Sequence, residues 1–268
     1  MDYKPQGPQR IVCLTEETTE TIYLLGEQHR IAGISGFTVR PPEARHEKPR
    51  VSAFTSAKID KILELKPDLV FGFSDLQADI CQDLVKAGLN VHIFNHRGVA
   101  GIFEMIATVG AIVQASDRSK ALIEQLNQHL RDIMTLAKTF KRKPRVYFEE
   151  WHEPPISCIQ WVSELIEIAG GEDCFKELST ESLGKNRIIA DPTEVVRRNP
   201  DIILGSWCGR KFNPDHVRSR VGWQEINAVK NNHLYEIKSP IILQPGPAAL
   251  TDGIKAMQTC MALWNNSN

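Results

Sequence analysis

One motif, present twice, limits what this chain can fold into more than any other feature. Lys66-Pro67-Asp68-Leu69-Val70 and Asn199-Pro200-Asp201-Ile202-Ile203 lie 133 residues apart (199 − 66), each at the end of a helical pattern and the start of an apolar run. Proline disfavours the helical conformation in the residue before it, so each motif reads as helix stop, then strand. Other elements repeat in the same order. Arg10-Ile11-Val12-Cys13-Leu14 pairs with Arg145-Val146-Tyr147-Phe148 at an offset of 135 (145 − 10), and Asn90 to Phe94 pairs with His233 to Ile237. A helix opening at Thr15 and stopping at Gly26, and one from Ile159 to Ala169 ended by Gly170-Gly171, follow each first strand. Asp191-Pro192-Thr193-Glu194 is a helix start, with Asp as cap and Pro in the first turn. Strands alternating with helices predict parallel sheets with crossover helices.

The expected architecture is therefore α/β: two lobes, each with a central, mainly parallel sheet flanked by helices, joined by one long rigid α-helix. Leu122, Leu126, Leu130, Ile133 and Ala137 form one apolar stripe between the halves. A helix from Asp117 to Phe140, capped by Ser116, spans 24 residues on this reading. The boundaries read as an N-terminal lobe over 1–114, the helix over 115–142 and a C-terminal lobe over 143–268. Bending such a helix breaks backbone hydrogen bonds, so a small lobe closure is expected.

Composition narrows the function. A net charge of −1 at 42% hydrophobic and 24% charged residues is ordinary globular usage and lacks the basic excess of a nucleic-acid binder. No apolar run is long enough to span a bilayer. The N-terminus lacks the basic, apolar and small-residue sequence of a secretory leader. Location is left as two alternatives, periplasmic if a leader was removed and cytoplasmic if Met1 is the true start. The six cysteines form no CxxC pair and read as reduced, mostly buried thiols.

Ligands of open α/β sheets bind beyond the carboxyl ends of the strands. Two facing lobes would line one cleft with those loops. Phe37, Phe54, Trp151 and Trp207 fall in them and suit a flat or bulky apolar ligand. Arg40, Arg97 and Arg210 offer polar contacts. Glu149-Glu150-Trp151-His152-Glu153 is the densest polar cluster and the one candidate for acid–base or metal chemistry, with His96 and Cys208 as conceivable partners. Its spacing matches no metal motif, and solvated loop residues are the expectation. No dinucleotide fingerprint, phosphate loop or nucleophile elbow is present.

Arg10 to Thr15 followed by Glu20 to Gly26, then Arg30 to Ser35 with Pro41-Pro42-Glu43-Ala44, resemble the opening of the periplasmic cobalamin and iron-siderophore binding proteins. Ile59 to Val70 is similar to that family's most recognisable stretch, and Gly170-Gly171-Glu172 and Asn199-Pro200-Asp201 extend the likeness across about Arg10 to Leu263. The resemblance is greatest to the cobalamin-binding branch. It implies a non-enzymatic monomer that holds cobalamin or a related corrinoid and delivers it to an ABC importer permease, without catalytic residues, metal site or catalytic cofactor. The ligand contacts it implies, together with the loop reading, are Thr15, Glu16, Phe37, Arg40, Phe54, Asp75, His96, Glu150, Trp151, Trp207 and Arg210. Importer docking would fall to Asp60 and Glu194. Cys260 aligns with a half-cystine whose partner position is Ala169 here. The alternatives are a binder of ferric siderophores or a haem-like chelate, and a leaderless cytoplasmic enzyme or cofactor carrier on the same fold.

Overall fold

The computed structural model describes residues 5–267. The chain divides into two compact units: residues up to His96 together with Ala100–Gln125, and Arg97–Val99 together with the chain from Leu126 onward.

In the first unit, β1 (Ile11–Cys13), α1 (Glu16–Leu24), β2 (Ile31–Ser35), α2 (Ala44–Glu47), β3 (Arg50–Ser52), α3 (Ile59–Glu64), β4 (Leu69–Phe73), α4 (Ala78–Lys86) and β5 (Val91–Phe94) alternate, the short α2 and β3 being additions to the expected elements. The strands form one sheet in the order β3-β2-β1-β4-β5, every pairing parallel. Val12, Leu14, Val51, Ile62, Val70 and Leu84 make its core. Two helices follow, α5 (Val99–Ile112) and α6 (Ser116–Ala137). α5 was not foreseen. It is apolar nearly all round and so carries no periodic signal. α6 has 22 residues and stops at Ala137, three short of the expected Phe140. Its apolar stripe is buried at Leu126, Leu130 and Ile133.

α5 and α6 approach closely at Gly110. A Cβ there would lie 2.3 Å from the Cβ and Oγ of Ser119. The obstacle is the stem of a short side chain, so the helices must separate to make room. Gly110→Ala is expected to cost about 1–3 kcal/mol in thermal unfolding. An unchanged melting temperature would show that the contact yields freely.

The second unit runs β6 (Arg145–His152), β7 (Pro155–Ser157), α7 (Gln160–Ile168), β8 (Glu172–Asp173), α8 (Lys176–Ser179), α9 (Thr193–Arg198), β9 (Ile202–Gly205), α10 (Pro214–Arg218), α11 (Asn227–Lys230), β10 (Leu234–Glu236), α12 (Ser239–Ile242) and α13 (Ile254–Ser267). Its sheet has the order β10-β9-β6-β7, with β8 beside the start of β6. β8, β6, β9 and β10 pair in parallel, as β2, β1, β4 and β5 do in the first unit. β7 is the addition: it folds back antiparallel on the end of β6. Tyr147, Phe175, Val195, Ile203, Trp207, Phe212, Val217 and Trp223 belong to one core cluster. α13, also unforeseen, follows a π-helical turn at Ala249–Gly253. The Gln258 amide donates to the Ile133 carbonyl at 3.2 Å, tying α13 to α6.

The duplicated motif has a duplicated geometry. Lys66 and Asn199, the residues before each proline, both adopt left-handed backbone, at φ 47° and 46°. Each following aspartate clamps the residue that opens the unit's first strand. Asp68 accepts from the Arg10 amide at 3.0 Å, and Asp201 from the Arg145 amide at 3.0 Å. The aspartate amides return bonds to the Arg10 and Arg145 carbonyls at 3.0 and 2.7 Å. The two arginine side chains then reach the carbonyls of Leu65 and Arg198, the residues just before each left-handed turn. Pro-Asp is thus a helix stop, a turn and a strand-to-strand fastener in one tripeptide step.

All six cysteines are unbridged, with Cys208 alone exposed. Cys260 is a buried free thiol whose acidity burial suppresses, pushing its pKa up to about 12. No helix among the described residues is long and apolar enough to cross a membrane.

Candidate functional site

In each sheet the crossovers run in opposite directions from one point, between β1 and β4 in the first unit and between β6 and β9 in the second. A ligand crevice forms where the chain parts in this way, beyond the carboxyl ends of those strands. The loops nearest that point are those after β1 and β4, and those after β6 and β9; the loops after β2 and β3 lie along the same edge of the first sheet.

On the first unit the rim is held from inside by Gln77, a residue the sequence reading missed. It is wholly buried. Its side-chain oxygen accepts from the Phe73 amide at 2.9 Å, and its amide group donates to the Phe54 carbonyl at 2.9 Å and to Leu14 at 3.5 Å. The loops after β1, β3 and β4 are thus tied to one side chain. Nothing in the sequence distinguishes this glutamine from a surface one. Phe37, in the turn after β2, is 57% exposed, a large apolar side chain left in water. Phe54 is half-buried and Asp75 exposed. The His96 ring packs edge-on against Phe73 at 5.3 Å. Arg40 does not stand free: its Nε donates to Glu20 at 2.9 Å.

Thr15 and Glu16 lie at the start of α1 and are buried with Glu17 and Glu20. The Thr15 hydroxyl donates to one oxygen of Glu17, while the other, Oε2, is buried without a partner. Burial raises the Glu16 carboxyl to about 7. Glu17 rises to about 8, mainly through burial and further through the neighbouring Glu16, against the pull of the Thr15 bond. A neutral Glu17 is the form the interior accepts.

On the second unit the structure corrects the sequence reading. Glu149 to His152 is not a solvated loop but the end of β6, paired with β9 on one side and β7 on the other. Glu149 has 0% exposure. It accepts from the Tyr147 hydroxyl at 2.9 Å, the Trp207 indole at 3.0 Å and both terminal nitrogens of Arg220. Burial and the Glu149 charge drive the Tyr147 phenol well above its ordinary pKa. Glu150 is held by Arg187 through two bonds, at 2.6 and 3.2 Å. Trp151 is half-buried on the strand, its indole donating to the Glu153 carbonyl at 2.9 Å.

Trp207, expected as an open wall, is 4% exposed and packs within the core against Phe212, ring centroids 5.1 Å apart. Its other face carries His152, stacked at 4.4 Å. Arg210 is exposed, and its guanidinium lies 3.0 Å from His152 Nε2. The structure thus brings together Trp151, Trp207, Arg210 and the unselected His152 across the β6/β9 switch point, and keeps Glu150 in an ion pair beside them. No group of three or more His, Cys, Asp or Glu among the described residues is arranged to hold a metal ion.

With this geometry in view, the comparisons identify the class. Residues 11–241 match the family model of the periplasmic binding proteins, and the chain belongs to that family. Members are substrate-binding components that serve ABC importers. The chain is 26% identical to an uncharacterised ABC transporter substrate-binding lipoprotein of Bacillus subtilis, YvrC, over 93% of this chain and 79% of that one. It is also 26% identical to the vitamin B12-binding protein of Vibrio campbellii, over 89% and 85%. Among solved structures, the vitamin B12-binding protein BtuF of Vibrio cholerae superposes with a TM-score of 0.78 at 21% identity, covering 97% of this chain and 99% of that one. The haem-binding protein HutB of Vibrio cholerae does so at 0.78 and 20%, covering 94% and 98%. These structural likenesses establish the fold.

Proposed function

We propose that this protein binds cobalamin or a related corrinoid, without catalysis, and delivers it to an ABC importer permease. The observation that carries the reading is Phe37, a large aromatic left 57% exposed on the loop after β2. An aromatic in a loop past the carboxyl end of a parallel strand is placed to cover a bulky apolar ligand surface. The sequence likeness to a vitamin B12-binding protein along most of both chains supports the same ligand. Thr15, Glu16, Phe54, Asp75 and His96 on the first rim, and Glu150, Trp151, Trp207 and Arg210 on the second, are the further contacts of this reading. Trp207 acts by backing His152 rather than by direct exposure. Asp60 is exposed on α3 and Glu194 half-buried on α9, and these are the proposed importer contacts. Glu194 is already paired with Arg197 and Arg198, at 2.6 and 2.8 Å, so Asp60 is the freer of the two.

Calorimetry and visible absorbance with cyanocobalamin test the proposal. Saturable binding with a dissociation constant below tens of micromolar, about −6 to −7 kcal/mol or stronger, is expected. Phe37→Ala should weaken it roughly tenfold or more while leaving the melting temperature alone. Absence of binding would end the corrinoid reading. Haemin belongs in the same titration. Arg40 is committed to Glu20, which speaks against a strongly anionic chelate; tighter binding of haemin than of cobalamin would replace the first reading with the second.

A further inference from the structure

Gln77 stands just past the carboxyl end of β4, on the edge of the sheet that carries the proposed contacts of the first unit. Ser74, which opens the turn, takes a positive φ of 66°, and its Oγ accepts from the Leu76 amide at 3.2 Å. Such backbone persists in a residue other than glycine only where its surroundings hold it. The Gln77 backbone amide donates to the Ser74 carbonyl at 3.2 Å and closes the turn. The side-chain oxygen fills space beside Gly72, where a Cβ would lie 3.0 Å from it. The neighbours also fix which way the amide faces. The Phe73 N–H only donates, so it meets the oxygen; the Phe54 and Leu14 carbonyls only accept, so they meet the nitrogen. An apolar side chain makes neither bond. The loop that carries Phe54 depends on the second one. It leaves β3, a three-residue strand at the edge of the sheet, and closes on itself through the Ala53 amide and the Ser56 carbonyl at 2.7 Å. The bond from Gln77 to the Phe54 carbonyl ties that loop to the buried end of β4.

We infer that Gln77 is a positioning residue for ligand binding: buried and out of the ligand's reach, it sets affinity by holding Phe54 in the pose that meets the ligand. The inference rests on the reading of Phe54 as a ligand contact. A loop that is competent only part of the time weakens the apparent affinity by that fraction, and does so by slowing association.

Gln77→Met keeps the volume and removes both bonds. With cyanocobalamin, followed by stopped-flow tryptophan fluorescence, its dissociation constant should rise roughly tenfold through slower association, the dissociation rate staying within about twofold of the parent. Phe54→Ala removes the contact itself and should speed dissociation instead. Adding Gln77→Met to Phe54→Ala should then cost less than about twofold more, because the group that Gln77 acts through is already gone. A Gln77→Met loss that persists in full beside Phe54→Ala would overturn the inference, as would parent-like affinity in a folded Gln77→Met variant. Gln77→Asn, too short to span both bonds, carries the same comparison if Gln77→Met does not fold. A second readout needs no ligand. In protein labelled with 4-fluorophenylalanine, the Phe54 ¹⁹F resonance, assigned by its absence from Phe54→Ala, should move in Gln77→Met toward its position in the unfolded chain. A parent that does not bind cyanocobalamin would end the corrinoid reading, and the hold of Gln77 on Phe54 would then be decided by that resonance: unmoved, it overturns the inference.

Discussion

Glu149→Ala is expected to destabilise the protein by about 3–5 kcal/mol, the range seen when one partner of a buried ion pair is removed. Three groups lose their acceptor together: the Arg220 guanidinium, the Tyr147 hydroxyl and the Trp207 indole. All three are buried or nearly so, so water replaces little of what is lost. At a few degrees per kcal/mol for a unit of this size, the melting temperature should drop by roughly 10 °C. Urea unfolding followed by tryptophan fluorescence measures it. The pair itself is a different quantity from either half. Replacing both members, Glu149→Met with Arg220→Met, removes the charge along with its counter-charge and should recover much of the loss. A single variant that loses under about 1 kcal/mol, or a double variant worse than the sum of its singles, would contradict this account.

Stability should also fall as the pH climbs from about 4.5 to about 8, because Glu16 and Glu17 are raised from 4.5 to about 7 and about 8. Below 4.5 both carboxyls are protonated in the folded and unfolded chains alike, and they impose no penalty. Above it the unfolded chain ionises while the folded one holds its protons. The unfolded state then gains about 1.4 kcal/mol per pH unit for each group until the folded pKa is passed. Glu17→Gln mimics the protonated acid in shape and removes its titration. The variant should match the parent near pH 4 and exceed it by a few kcal/mol at pH 8. Thermal unfolding across that range decides it: a variant no more stable than the parent at pH 8 would mean that Glu17 is ionised in the folded protein.

Much of the fold is legible in the sequence because it is written in local rules. Pro67 and Pro200 end helices wherever they occur, and the alternation of apolar runs with periodic segments yields parallel pairing in both sheets. α5 escaped because a helix apolar nearly all round loses the periodicity by which helices are read; α13 carries that periodicity, in Ile254, Met257, Met261 and Trp264, and was missed all the same. β7 escaped because a three-residue strand around proline has no pattern of its own; only pairing with β6 makes it one. The candidate site was legible as a set of loops and not in its contacts. Phe37 stands where the loop reading places it. Glu149 looked like one of several exposed acids because its partner Arg220 lies 71 residues away. Gln77 carries no local mark, and His152 is marked only as one member of a polar cluster: what distinguishes them is the set of groups that tertiary packing delivers to them.

The Pro-Asp fasteners bear on how such a protein could be re-engineered. They secure the amino ends of the strands, whereas the residues assigned to ligand lie past the carboxyl ends. The two edges answer to different demands. Loops such as the one bearing Phe37 can be exchanged, shortened or recombined with those of a relative while Arg10–Asp68 and Arg145–Asp201 keep each sheet in register. A library confined to the carboxyl edge would search ligand preference on a frame whose foundation it never touches.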